Sequence, residues 1–144
     1  MRLGVSAGAA ATESLGEAGI SVRDELIVDG SFAWADAFQN MDQALRDGLR
    51  FTAVFAANDI MALAARTAIE KNGMRVPDDI SVVGYNDILY ASAISLTTVA
   101  LDPLEMGKNA ALLLLDLIDK RRTPPHSITM KPRLIIRNSC RKVD

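Results

Sequence analysis

Two apolar segments of strand length, with a helical segment between them, constrain the fold of this chain more than any other feature. Residues 51–57 and 80–84 are predominantly apolar and lack the alternation of a half-exposed strand. Residues 60–72 form a helical pattern that ends before Gly73. Because such strands, separated by helices, are typical of a parallel sheet covered on both faces, we predict an α/β fold with a doubly wound parallel sheet.

The rest of the chain continues this alternation of strands and helices. Asp102, Pro103 and Glu105 form a clear helix start, with an Asp cap, a Pro at the first helical position and a Glu at the third. The other predicted strands or extended segments are 2–5, 25–28, 96–101 and 127–137, and the other predicted helices are 9–18, 34–48 and 103–120.

Length and composition exclude several classes of protein. With 144 residues, of which 49% are apolar, the chain can bury a core without disulfides or metal, so intrinsic disorder is not expected. A formal net charge of -2 provides no basic field for nucleic acid. The longest apolar run is far shorter than the ~20 residues of a membrane span. A single cysteine, Cys140, and the lack of a secretory signal favour a cytoplasmic location.

The sequence contains no motif for a metal or a cofactor. Neither a Cys/His cluster with metal-ligand spacing nor a glycine-rich phosphate loop occurs, so we predict neither kind of site. The basic residues near the C-terminus, Arg137, Arg141 and Lys142, are expected to lie in a solvated tail.

The polar residues that follow the two apolar strands are the best candidates for a ligand site. Asn58 and Asp59 follow the first strand, and Asn86 and Asp87 follow the second. Ligands of open parallel sheets bind at the carboxyl edge of the strands, and amide and carboxylate groups suit a neutral polyhydroxylated molecule. The alternative is that Asn58 or Asp59 caps the next helix, a role that we favour for Asp59.

Three ordered segments of the chain, 52–59, 73–87 and 96–99, resemble the effector-binding core of LacI/GalR-type transcriptional regulators. The resemblance continues through Gly107 and Ala111 into residues 132–139, and it covers roughly 19–139. It implies one lobe of a type I periplasmic-binding-protein-like domain, in which a small effector bound between two lobes alters the operator affinity of a remote helix-turn-helix head.

The resemblance also implies a domain organisation and a function. Residues 1–144 would be part of the effector-binding domain, with about 19–95 in the second lobe, a crossover helix at 102–120 and the final strand at 127–139. The chain would sense a sugar or sugar-like effector by binding rather than catalysis, and it would contact DNA only through a head that is missing from this sequence.

By position, the resemblance assigns four ligand-binding residues. Asn58 matches an effector-contacting Asn, and Asn86 occupies the site often held by an effector-contacting Asp, with Asp87 beside it. Phe32 matches an aromatic residue that covers the ligand, although it could equally be ordinary core.

This sequence departs from the family pattern where the family has an effector-gripping Arg and, three residues later, a Gly. Ala7 and Ala10 stand at these positions. Weak effector binding is therefore expected from this chain.

Two helices are expected to form a homodimer interface. The helix at 60–72 is apolar around most of its circumference, so the sheet should leave a second face uncovered. The helix at 103–120 has an apolar face that should either fold back on its own sheet or exchange with a second subunit. The predicted interface residues are Met61, Ala65, Ile69, Leu112 and Leu115.

An alternative function is an α/β-hydrolase-like esterase that uses Ser6. Residues 4–8 match the G-x-S-x-G nucleophile elbow, and His126 is the only histidine. The context is poor, because only three residues precede Gly4 while a hydrolase needs earlier strands for its oxyanion hole. We therefore predict that the chain is not an enzyme.

Overall fold

A computed structural model describes residues 3–5, 9–21, 23–119 and 127–142, which form a five-stranded sheet with intervening helices. A short 3-10 helix, Asp24–Leu26, follows the first α-helix. The strands are β1 (Leu3–Val5), β2 (Ala53–Phe55), β3 (Ser81–Asn86), β4 (Thr97–Ala100) and β5 (Arg133–Ile135). The helices are α1 (Ala9–Glu17), α2 (Trp34–Arg46), α3 (Asp59–Lys71), α4 (Leu89–Ala93) and α5 (Pro103–Ile118).

The sheet has the strand order β1-β2-β3-β4-β5, and its first four strands are parallel. Only β5 differs, because it runs antiparallel to β4. The register pairs Val54 with Val82 and Gly84 with Thr98, which places these four residues on one face. A mixed sheet dominated by parallel strands confirms the predicted α/β class.

Helix α3 lies between this face of the sheet and α2. Its alanines allow close approach to both neighbours, and Ala62, Ala64 and Ala68 are fully buried. From the other side, α2 contributes Met41 and Leu45 to the same core. This face of the sheet is therefore covered by two layers of helix, with α3 on the sheet and α2 on α3.

This second helical layer corrects part of the predicted dimer interface. Met61, Ala65 and Ile69 are all buried within the chain. The loop before α2 packs on the same side of α3, since a Cβ on Gly30 would overlap Met61 Cε and lie 3.0 Å from Ala37 Cβ. The expectation that Met61, Ala65 and Ile69 contact a second subunit is wrong, because their side chains are already buried within the chain.

Helix α5 behaves differently from α3. None of its residues is buried, and Leu112 and Leu115 are 52% and 55% exposed. The helix does not fold back on the sheet of its own chain, which was one of the two predicted arrangements. Contact of Leu112 and Leu115 with a second subunit stays a prediction.

Two local features differ from what the sequence predicts. Residues 24–26 form the 3-10 helix instead of the start of a strand, and only Ile27 makes an isolated β-bridge. Leu26 is buried while Ile27 is exposed. The segment therefore buries only one of these two apolar side chains, whereas a strand covered on both faces would bury both. Helix α4 was not predicted, because its sequence, LYASA, is too short for a helical period.

The longest described helix is α5, with 16 residues. Within the described ranges, no helix has both the length and the apolar character needed to cross a bilayer.

Candidate functional site

The structure brings the two predicted Asn-Asp pairs to the same edge of the sheet. Strands β2 and β3 are parallel neighbours, so the residues that follow them lie side by side. A hydrogen bond joins the two segments directly, with the Ile88 N–H donating to Asp59 Oδ2 at 2.8 Å. We call residues 86–88, which begin at the last residue of β3, the edge loop.

Asn58, rather than Asp59, caps α3. Its backbone is extended, with φ -152° and ψ 169°, and its Oδ1 accepts the Met61 N–H at 2.7 Å. The favoured capping role for Asp59 is therefore wrong. Since the cap uses only the side-chain oxygen of Asn58, the half-buried amide remains able to donate through Nδ2.

Asp59 is instead an internal anchor. It is 2% exposed, and its Oδ1 accepts a hydrogen bond of 2.5 Å from the Thr98 hydroxyl of β4. Gly84 makes room for it, because a Cβ there would overlap Asp59 Oδ1 and lie 2.9 Å from Leu96 Cδ2. One carboxylate thus connects the start of α3, the middle of β4 and the edge loop at Ile88.

The edge loop has an unusual backbone. Asn86 and Asp87 have φ values of 109° and 54°, which are positive although neither residue is glycine. Such conformations persist where the surrounding structure enforces them, and they are frequent at functional sites. The Asn86 side chain is exposed and the Asp87 side chain is half-buried.

Asp87 is held by Arg137 from the segment after β5. Arg137 Nη2 lies 2.8 Å from Asp87 Oδ1, and Arg137 Nη1 donates to the Leu96 carbonyl at 2.7 Å. The Arg137 backbone N–H also donates to Thr97 Oγ1 at 3.0 Å. The expectation that Arg137 lies in a solvated tail is wrong, because these contacts half-bury it against β4.

Phe32 lies in the turn before α2 and is 73% exposed. Ser31 and Phe32 have φ values of 48° and 54°, and the Ser31 N–H donates to Asp29 Oδ1 at 2.9 Å, which stabilises the turn. The alternative that Phe32 is ordinary core is therefore wrong. The same turn packs through Gly30 on Met61, the residue whose backbone N–H donates to Asn58 Oδ1.

The structure also identifies residues of this edge that sequence reasoning missed. Thr98, Gly84 and Arg137 all support the edge loop, directly or through Asp59. Thr97 and Thr98, two hydroxyl residues within an otherwise apolar strand, were the available signal, because a buried hydroxyl needs a partner.

Several predicted residues lie outside the described ranges. Ser6, Ala7 and His126 belong to the segments 6–8 and 120–126, which the structure does not describe. For Ala10, only its place in α1 is described. The structure therefore gives no geometry for the proposed esterase residues or for the position of the missing Arg.

Two carboxyl groups that lie away from this edge have a lowered pKa because basic side chains donate hydrogen bonds to them. The side-chain hydrogen bond from Arg75 lowers the pKa of Asp79 from 3.8 to about 2. Hydrogen bonds from Lys71 and then Asn72 lower the pKa of Asp42.

Among the described residues, no group of three His, Cys, Asp or Glu side chains is arranged to hold a metal ion.

Comparison with known proteins identifies the family. Residues 5–140 match the model of the periplasmic binding protein-like domain. The chain belongs to this family. Its relatives place it in the branch found in LacI/GalR-type transcriptional regulators, so the predicted resemblance is confirmed.

One similar protein is the HTH-type transcriptional repressor PurR of Yersinia pestis (strain Pestoides F), which is 41% identical over 129 residues. The match covers 88% of this chain and 38% of the repressor. The chain thus spans well under half the length of this curated relative.

Solved structures agree with this assignment. A transcriptional regulator CelR-cellobiose complex superposes with a TM-score of 0.88 at 31% identity, covering 96% of this chain and 46% of that one. A LacI family regulator from Arthrobacter sp. FB24 in complex with lactose gives a TM-score of 0.82 at 28% identity, covering 96% and 56%. These relatives are regulators rather than enzymes, and they give no support to the esterase alternative.

Proposed function

We propose that this periplasmic-binding-protein-like chain binds a sugar or sugar-like effector at the carboxyl edge of its sheet, as the sensing part of a transcriptional regulator. The observation that carries the proposal is the meeting of Asn58 with Asn86 and Asp87 at one edge, joined by the hydrogen bond from Ile88 to Asp59. Cellobiose and lactose complexes of similar regulators support a sugar as the class of ligand.

The polar groups of this edge suit a ligand with many hydroxyls. Asn58 offers Nδ2 as a donor, since its oxygen is engaged by the helix cap. Asn86 is exposed and offers both a donor and an acceptor, while Asp87, whose Oδ1 is paired with Arg137, adds Oδ2 as an acceptor. The exposed ring of Phe32 provides an apolar surface for the C–H groups of a sugar ring.

The proposal extends to organisation and partners. Residues 19–95 would form the second lobe of the sensor, 102–120 the crossover helix and 127–139 the final strand. The chain would act in the cytoplasm as a homodimer, without catalysis, and operator DNA would be bound by a helix-turn-helix head rather than by this domain. Purified chain should accordingly give no sequence-dependent shift of DNA in a gel.

The test of effector binding is a nuclear magnetic resonance titration of the chain with cellobiose, lactose, glucose and adenosine. One lobe encloses little of a ligand, whereas good sites bury about 70–90% of it, so we expect only millimolar affinity. The side-chain amides of Asn58 and Asn86 should shift with the sugars. The amide of Asn72 is the internal control, because it donates to Asp42 at the opposite end of α3.

A matched pair of variants makes the result specific. Asn86→Ala should abolish the sugar-induced shifts, whereas Asn72→Ala should leave them intact. Shifts that avoid residues 58, 86 and 87, or that survive Asn86→Ala, would contradict the proposed site. Stronger shifts with adenosine than with any sugar would contradict the proposed ligand class.

A further inference from the structure

We propose that Asp59 is a positioning residue that holds the edge loop in its ligand-binding shape without contacting the ligand itself. The inference rests on the proposed function in taking the edge loop as part of a ligand site. The effect of Asp59 on the edge loop can nevertheless be measured without any ligand. It assigns a specific task to a buried carboxylate that neither caps α3 nor faces solvent.

The backbone of the edge loop is strained. Asn86 and Asp87 occupy consecutive positive-φ conformations, and a free loop would leave such a state. The next residue, Ile88, returns to an extended backbone with φ -64° and ψ 161°. A contact at Ile88 therefore fixes the point where the unusual stretch ends.

Asp59 supplies this contact from a fixed position. Its Oδ2 accepts the Ile88 N–H, while its Oδ1 is held by the Thr98 hydroxyl. Asp59 is also the first residue of α3, directly after Asn58. The same residue thus ties the edge loop to the segment that carries the other candidate ligand-binding amide.

A different group holds each residue of the edge loop. Arg137 pairs with Asp87 at 2.8 Å, and Asp59 binds the backbone of Ile88. Asn86 is held through its backbone by pairing with Ala100 of β4, whereas its side chain is exposed, which leaves that side chain available to a ligand. The carboxylate of Asp59 orients Asn86 through the backbone alone.

The test is amide hydrogen exchange of the 144-residue chain and its variants. The measured quantity is the exchange rate of the Ile88 amide divided by that of Ala65 in the interior of α3, a ratio that cancels a uniform loss of stability. Asp59→Ala should raise this ratio about tenfold, because the amide loses its acceptor. Asp59→Ser should act in the same way, since its hydroxyl can still meet Thr98 but ends one bond short of Ile88.

Two further variants separate positioning from general stability. Asp59→Asn should keep the ratio near the wild-type value, because its amide oxygen can accept from Ile88 while its nitrogen donates to Thr98. Thr98→Val removes the other hydrogen bond of Asp59, so it should lower the stability of the chain without raising the ratio. The serine variant decides the outcome if Asp59→Ala does not fold.

An unchanged ratio in Asp59→Ser, or an equal rise in Thr98→Val, would overturn the proposal. The sugar titration answers a separate question. If the ratio rises as expected while no sugar shifts the wild-type amides, the positioning role stands and the proposed function fails. If lactose or cellobiose does bind, Asp59→Ser should weaken that binding and Asp59→Asn should restore it.

Discussion

Gly84→Ala is the substitution that most directly tests the packing under the candidate site. An added Cβ would overlap Asp59 Oδ1 and lie 3.2 Å from Asp59 Cγ and 2.9 Å from Leu96 Cδ2. The Leu96 contact involves the end of a flexible side chain, which can shift. The Asp59 contact cannot be relieved so easily, because that carboxylate is held by Thr98 and Ile88.

The expected cost has two parts. Overpacking of a well-packed interior costs roughly 1–3 kcal/mol. If Asp59 moves away, the buried Thr98 hydroxyl and the Ile88 N–H lose their partner, and an unsatisfied buried group costs about 1–3 kcal/mol. Since a movement of Asp59 replaces the first cost by the second, we expect Gly84→Ala to lower the free energy of unfolding by roughly 1–3 kcal/mol.

The assay is urea unfolding followed by the fluorescence of Trp34, the only tryptophan, whose ring stacks on Phe38 at 5.0 Å. A double-mutant cycle with Asp59→Ala then isolates the clash. Gly84→Ala should cost at least ~1 kcal/mol less when the carboxylate is absent. Gly107→Ala is the control, because a Cβ there meets nothing within 4 Å and should be neutral or stabilise α5 by up to ~1 kcal/mol.

The reasoning would be refuted by either of two results. A loss of stability below ~0.5 kcal/mol for Gly84→Ala would mean that the position tolerates a methyl group. The same loss in both backgrounds would mean that Asp59 is not what the methyl group meets.

Three further predictions concern other parts of the chain. Because Leu112 and Leu115 are half-exposed on α5, replacing both by Ser should reduce self-association in sedimentation; a wild-type chain that is only monomeric would contradict this. Asn58→Ala should lower the free energy of unfolding by about 1 kcal/mol in urea through loss of the helix cap, and Asn58→Asp should not. Folding lowers the pKa of Asp79 to about 2 from 3.8, so its carboxylate stabilises the fold above about pH 4 and this effect is lost as pH falls toward 2. In Arg75→Gln the pKa of Asp79, followed by nuclear magnetic resonance, should rise toward 3.8, and no rise would show that Arg75 is not the cause.

The sequence by itself determined the fold class and the place of the candidate site. The unalternated segments around Val54 and Val82 predict buried parallel strands, because their apolar pattern reflects which faces are covered. Asn58 comes shortly after the first of these strands and Asn86 lies at the end of the second, so their arrival at one edge of the sheet needs only the parallel order of the strands. The ordered motifs of these segments also sufficed to predict the family, which the matched domain and relatives confirm.

Only the tertiary structure decided what each polar residue at this edge does. Asn58 and Asp59 are neighbours with similar capping preferences, and the choice between them depends on Thr98, which lies 39 residues away from Asp59 in sequence. From the sequence, Arg137 was predicted to lie in a solvated tail, whereas in the structure it pairs with Asp87. Local sequence patterns carry no information about such distant partners.

The tertiary structure also determined what packs against the apolar face of each helix. The apolar circumference of α3 predicted a second surface correctly, but the pattern did not state whether α2 or another subunit provides it. In the structure Met61, Ala65 and Ile69 are buried within the chain, whereas no residue of α5 is buried. The apolar periodicity of a helix predicts that one of its faces is buried. Only the three-dimensional arrangement of the elements shows which element or subunit buries that face, because burial is a property of the whole fold.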